Sequence, residues 1–166
     1  IERYGSWAKI IERPEHLLGD SVSMNSIIEY DVSLIGSDNN FFQTHSTNPL
    51  LEKETIINSV EQYLSLHEKE EIDSLFAVTA MKKRLYDHNY LPINHDPKNL
   101  QQTQDLNIVY EENSNFYIFS GKSFIKNNHR IGYKSKMYPM NSNSFESLDI
   151  DEKNDWVLAE MLLNKK

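Results

Sequence analysis

The sequence predicts an α/β fold with a mainly parallel sheet. Three observations carry that expectation. Stretches with helical periodicity alternate with short apolar stretches along most of the chain. One of the apolar stretches, Ser74-Leu75-Phe76-Ala77-Val78-Thr79, has almost no polar alternation, the pattern of a strand buried on both faces in a parallel sheet. The length of 166 residues, 39% hydrophobic and 25% charged, suits one globular domain with a sizeable core.

The elements follow in order. Ile1 to Ser6 read as the tail of a helix, with Gly5 as a left-handed cap. Trp7 to Ile11 form a short strand candidate, and Arg13 to Asp20 a loop marked by Pro14 and Gly19. Ser21 to Tyr30 suit a helix capped by Ser21 or Ser23. Asn40 to His45 read as a strand that ends in the turn Thr47-Asn48-Pro49. Lys53 to Glu70 is the clearest helix, because Ile56, Ile57, Val60, Tyr63, Leu64 and Leu66 fall on one stripe and the charges on the other face. After the strand at Ser74 the pattern degrades between Lys82 and Glu112 into a polar stretch broken by Pro92 and Pro97. Phe116 to Phe119 restore a strand, and a short helix follows at Ser123 to Lys126. Lys136 to Met140 lead to a strand candidate at Asp149. Trp156, Ala159, Leu162 and Leu163 give a final helix its apolar stripe.

Composition excludes several function classes. The absence of cysteine removes disulfides, thiolate metal sites and cysteine nucleophiles, and is compatible with a reducing cytoplasm. The net charge of −8 repels a polyanion at long range, which argues against nucleic acid as a partner. No apolar run is long enough to span a membrane, and the opening residues do not form a signal peptide.

The most informative feature lies near the carboxyl end, at Ser147-Leu148-Asp149-Ile150-Asp151. On a strand, Asp149 and Asp151 point to one face while Ile150 points into the core. Two aligned carboxylates suit a divalent cation that also holds phosphates. A plain structural role is open as well: Asp151 stands where it could cap the final helix.

Three groups of motifs then fall in a familiar order. The first is Tyr4-Gly5, Arg13-Pro14-Glu15 and Gly19-Asp20. The second is His45-Ser46-Thr47-Asn48-Pro49-Leu50. The third is Thr103-Gln104-Asp105-Leu106, then Tyr110-Glu111-Glu112-Asn113-Ser114-Asn115-Phe116-Tyr117-Ile118, ending in Ser147 to Asp151 and Asp155. With these, the chain resembles the acylneuraminate (CMP-sialic acid) cytidylyltransferases, which activate acidic sugars. The resemblance implies a Rossmann-like nucleotide-diphospho-sugar transferase fold. It implies a nucleotidyltransferase that joins CTP to an acidic, sialic acid-like sugar and releases pyrophosphate, with Mg²⁺ as cofactor.

By the same resemblance, Asp149 and Asp151 match the catalytic metal-binding pair, and Arg13 matches an arginine beside the nucleotide. A loop ion pair with Glu12 or Glu15 is the other role open to Arg13. His45, Thr47, Asn48, Gln104, Asn113 and Tyr117 match positions around the sugar pocket. His45 replaces a glutamine; a histidine satisfied by backbone at a strand end, and a Tyr117 that is simply a packed aromatic, are the alternatives. Ser114 stands where the family usually has glycine, and Gln102-Thr103 stand where an arginine usually precedes Gln104.

The family's glycine-rich, lysine-bearing phosphate loop has no counterpart among the five scattered glycines. The chain therefore reads as a single, incomplete cytidylyltransferase domain over residues 1–166. It corresponds to the carboxyl portion of the family sequence, without its amino-terminal strand-loop-helix unit. Residues 82–115 correspond to a dimerisation arm, which predicts a homodimer, and the expected location is the cytoplasm. A non-catalytic relic serving as a dimeric assembly or regulatory partner is the alternative function, and a plain Ca²⁺-binding acidic domain a third.

Overall fold

The computed structural model describes residues 8–164. The helix tail and cap expected at Ile1 to Ser6 lie outside the described residues, as does Trp7. Ala8 to Ile11 form no strand, and Ala8, Lys9 and Ile10 are solvent-exposed.

Four strands make one sheet: β1 (Asn40–Thr44), β2 (Ser74–Met81), β3 (Val109–Ser120) and β4 (Ser135–Met140), in the order β1-β3-β2-β4. β3 runs antiparallel to both β1 and β2, and only β2 and β4 pair in parallel. The sheet is thus mixed, which corrects the mainly parallel expectation. The apolar run at Ser74 marks a strand covered on both faces, and that signal carries position but not direction. β1, β2 and β4 still point the same way, with β3 inserted against them. Pro139 sits on the edge strand β4, where its missing N–H can face away from the ladder.

Both faces of the sheet are covered, and alternation along the strands sorts the core into two layers. On one side, Phe76, Val78, Tyr117 and Phe119 pack against Ile28 and Val32 of α1 (Met24–Ile35) and Phe124 of α3 (Gly121–Asn127). On the other, Leu75, Ala77, Phe116 and Ile118 pack against Tyr63 and Val60 of α2 (Lys53–His67). Ser23 caps α1 by accepting from the Ser26 amide, and Gly36, at φ +105°, ends it in a conformation that favours glycine. The final helix, α4 (Lys153–Leu163), is only lightly docked, with Ala159 its one buried residue.

The 82–115 segment divides. Residues 82–108 hold only one isolated bridge, Tyr86 to Pro92, and a 3-10 turn at Thr103–Asp105. Residues 109–115 belong to β3, whose first four residues pair with the far end of β2.

β3 carries a wide bulge. Phe76 pairs with Tyr117 and Val78 with Glu112, so Asn113 to Phe116 stand opposite Ala77 alone. Ser114 sits at φ +56°, in the left-handed region. Asn113 supports the bulge by accepting from the Asn115 amide at 3.1 Å. The bulge stands opposite the middle of β2 and near the carboxyl ends of β1 and β4, the end of the strands at which open α/β sheets place their ligands.

Candidate functional site

A cleft of about 320 Å³ opens beside the bulge, lined by Thr79, Glu111, Glu112, Asn113, Ser114, Ser147, Asp149 and Asp151. Asp149 and Asp151 share it although they do not lie on a strand. Residues 148–151 have no ladder; the Leu148 N–H donates to the Phe145 carbonyl at 3.0 Å, and the Ile150 N–H donates to the Thr47 carbonyl at 2.9 Å. The alternation expected of a strand survives in that segment. Asp149 and Asp151 face the cleft, while Ile150 lines an apolar groove with Pro49, Trp156 and Ala159.

Asp151 does not cap α4. Glu152 occupies the N-cap position, and the Asp155 carboxylate accepts from the amides of Glu152 at 2.8 Å and Asp151 at 3.2 Å. The Asp151 carboxylate is thereby left to face the cleft. Asp149 Oδ1 is buried and takes no hydrogen bond among the described residues. An orphaned carboxylate oxygen is costly unless a ligand satisfies it.

The turn after β1 borders the same site. Besides the Thr47–Ile150 bond, the buried Asn48 donates from Nδ2 to the Leu148 carbonyl at 3.4 Å. His45 is half-buried at the end of β1. Gln43, two residues earlier and on the same face, links it to the rest of the site. Arg130 donates to Gln43 Oε1 at 3.0 Å, which turns the Gln43 amide nitrogen toward His45 Nε2 at 3.4 Å. In that arrangement Nε2 accepts and the ring is neutral, with Nδ1–H the remaining donor. Burial holds the His45 pKa below its usual value, the Arg130 charge lowers it further, and the Asp149 carboxylate opposes both.

Tyr117 is fully buried and is at once a packed aromatic and part of the network. Its hydroxyl donates to Glu112 and, at 3.2 Å, accepts from the Ser114 hydroxyl. Burial, reinforced by the Glu112 hydrogen bond, raises its pKa. The Arg130 guanidinium lies over its ring, 3.5 Å from the centroid. Asn113 donates to Thr79 Oγ1 at 3.0 Å and contacts Met140 Sδ at 3.3 Å, which fixes its amide at the cleft wall.

Two sequence-selected residues fall elsewhere. Arg13 is exposed and forms no ion pair with Glu12 or Glu15, and its charge lowers the pKa of Asp31 of α1 against the effect of burial. Gln104 is exposed in the 3-10 turn, where its amide donates to Gln102 Oε1 at 2.7 Å. Three residues were missed: Gln43, Glu112 as a partner of Tyr117, and Arg130. Gln43 was within reach, being two positions before His45 on a strand. Arg130 sits in an irregular loop after α3, where no periodicity marks a position.

Among the described residues, no three His, Asp or Glu side chains come close enough to hold a metal by themselves, and no helix is long and apolar enough to cross a membrane.

The fold is similar to the crystal structure of 4-diphosphocytidyl-2C-methyl-D-erythritol synthase from Anaerococcus prevotii DSM 20548, with a TM-score of 0.55 and 9% sequence identity, over 87% of this chain and 68% of that one. No curated protein matches the chain by sequence. The family model of the cytidylyltransferases matches residues 2–166, essentially the whole length, and the chain belongs to that family of CTP-using nucleotidyltransferases.

Proposed function

We propose that this chain transfers the cytidylyl group of CTP to a hydroxyl of an acidic, sialic acid-like sugar. The acceptor oxygen forms a bond to the α-phosphorus as the α–β phosphoanhydride bond breaks, pyrophosphate leaves, and the hydroxyl proton passes to bulk water. The observation that supports this most is the cleft itself. It gathers Asp149, Asp151, Glu111 and Glu112 beside neutral polar groups at the carboxyl ends of the strands, and leaves one Asp149 oxygen without a partner.

The donor set fits Mg²⁺, which is usually held by one or two carboxylates, with water and substrate phosphates completing its shell. Asp149 and Asp151 would hold it, and when bound it offsets charge on the triphosphate and on the departing pyrophosphate. The chain's own residues supply position. The Thr47–Ile150 bond locks the acidic segment to the histidine turn. Asn113 and Ser114 present an amide and a hydroxyl from the bulge, and neutral His45 offers its free ring N–H to an acceptor oxygen. Holding the reacting groups in register removes much of the entropic barrier.

We also infer that two copies associate through residues 82–108. Tyr86, Tyr90, Leu91, Ile93, Leu100 and Ile108 all expose their side chains there. The absence of cysteine is consistent with a reducing cytoplasm.

The test is pyrophosphate release from CTP and Mg²⁺ with sialic acid, legionaminic-type sugars and ketodeoxyoctonate in turn. Release with at least one acidic sugar, reduced about 100-fold or more by Asp149→Ala, is the expected result. A folded dimer that releases no pyrophosphate with any of them would instead be a non-catalytic assembly partner.

A further inference from the structure

Arg130 is a prepared cation without a counter-anion among the described residues. Its guanidinium lies over the Tyr117 ring, 3.5 Å from the centroid, and one of its nitrogens donates to Gln43 Oε1 at 3.0 Å. The surface beneath it does not move easily, since Tyr117 is fully buried and its hydroxyl is tied to Glu112 and Ser114. The position of the guanidinium is therefore set. A guanidinium has five N–H donors, and only one is engaged here. Arg130 is half-buried, yet the ion pair formed among the described residues joins Lys122 and Asp38, both exposed, and no carboxylate there pairs with Arg130. In a chain of net charge −8, carboxylates able to pair with Arg130 are plentiful, so a half-buried arginine left unpaired points to a ligand.

Its neighbours say what kind. A guanidinium laid on a ring offers its remaining donors along its edge, in one plane, the geometry that matches a carboxylate through two parallel hydrogen bonds. His45, linked to Arg130 through Gln43, is a neutral neighbour with a free N–H and adds a second donor without a second charge.

We propose that Arg130 determines acceptor specificity, taking the carboxylate of the acidic sugar on its guanidinium edge and so favouring acidic over neutral sugars. This rests on the acidic-sugar reading of the site. A phosphate of CTP could occupy the same fork, so the nucleotide is a separate arm of the test.

The full chain is titrated by calorimetry with sialic acid, with the carboxamide of sialic acid, and with CTP in the presence of Mg²⁺. The wild type should bind the acid more tightly than the amide. Arg130→Met should weaken the acid about 30-fold, leave the amide nearly unchanged, and leave CTP unchanged. Arg130→Lys should recover part of the loss, since a point charge replaces the fork; if the Met variant does not fold, a several-fold loss of acid-over-amide preference in the Lys variant gives the same answer. An acid-over-amide ratio that survives in both variants overturns the proposal. So does a loss of CTP binding with acid binding intact, which would assign Arg130 to the nucleotide. A wild type that binds CTP but neither sugar removes the acidic-sugar reading, and the proposal falls with it; a wild type that binds the acid, with variants that bind it equally well, removes only the role of Arg130.

Discussion

His45 shows how much of the site's chemistry depends on single neighbours. Its pKa is held below the ordinary 6.5 mainly by burial, then by Arg130, and only partly restored by Asp149. The sign follows from linkage. Between the lowered folded value and 6.5 the unfolded chain binds the proton and the folded chain does not, so stability is fully present above 6.5 and falls as the pH drops through that window. A nuclear magnetic resonance titration of the metal-free protein should give a His45 midpoint under 6.5. Arg130→Met should raise that midpoint by removing a repulsive charge, and Asp149→Asn should lower it by removing an attractive one. A wild-type midpoint at or above 6.5 would show that burial does not dominate the ring, and no upward movement in Arg130→Met would show that the ring does not sense this guanidinium. His45, Asp149 and Asp151 were legible in the sequence because residue type and position relative to an element boundary both spoke for them. Arg130 was not, since a lone arginine in an irregular loop has no pattern until the fold brings Tyr117 and Gln43 beneath it.

At the scale of elements, the helices were the legible part. The stripe from Ile56 to Leu66 gave α2, and Ser23 gave the start of α1, because helix periodicity and capping are local. Strand direction is not local. β3 pairs with β1 and with β2 across long separations, and nothing in Phe116 to Phe119 says which way the neighbours run. The strand was also read as too short, since its first half carries polar residues that face the cleft rather than a core. The bulge in that half depends on Ser114 tolerating a left-handed backbone at φ +56°. Glycine adopts that conformation freely, serine at some cost, and a β-branched residue with real strain. Ser114→Gly should therefore stay within about 1 kcal/mol of wild type in urea unfolding, the lost Tyr117 hydrogen bond and added chain entropy offsetting the relief. Ser114→Val should lose about 1–3 kcal/mol. Equal stability of the valine and glycine variants would mean that the bulge can relax to an ordinary strand, and the cleft wall formed by Asn113 would then not be fixed.

For the whole molecule, the distribution of apolar surface is the open physical problem. The two core layers are complete around the sheet, yet Tyr90 is 87% and Leu100 93% exposed on the 82–108 segment. Neither side chain helps to hold the sheet, and each leaves a large apolar group in water at a cost of roughly 25 cal/mol per Å² relative to burial. A monomer gains nothing from this arrangement, whereas a symmetric pair buries the same patch twice. Sedimentation velocity at high protein concentration should accordingly show a dimer. Replacing Tyr90 and Leu100 together by serine should shift it to monomer while the urea midpoint of the isolated protomer holds, because no core contact is lost. Monomer alone for the wild type, or a dimer unaffected by the double substitution, would place any self-association elsewhere. The exposed face of α4, where Trp156 is 60% and Met161 59% accessible, is the next surface large and apolar enough to account for it.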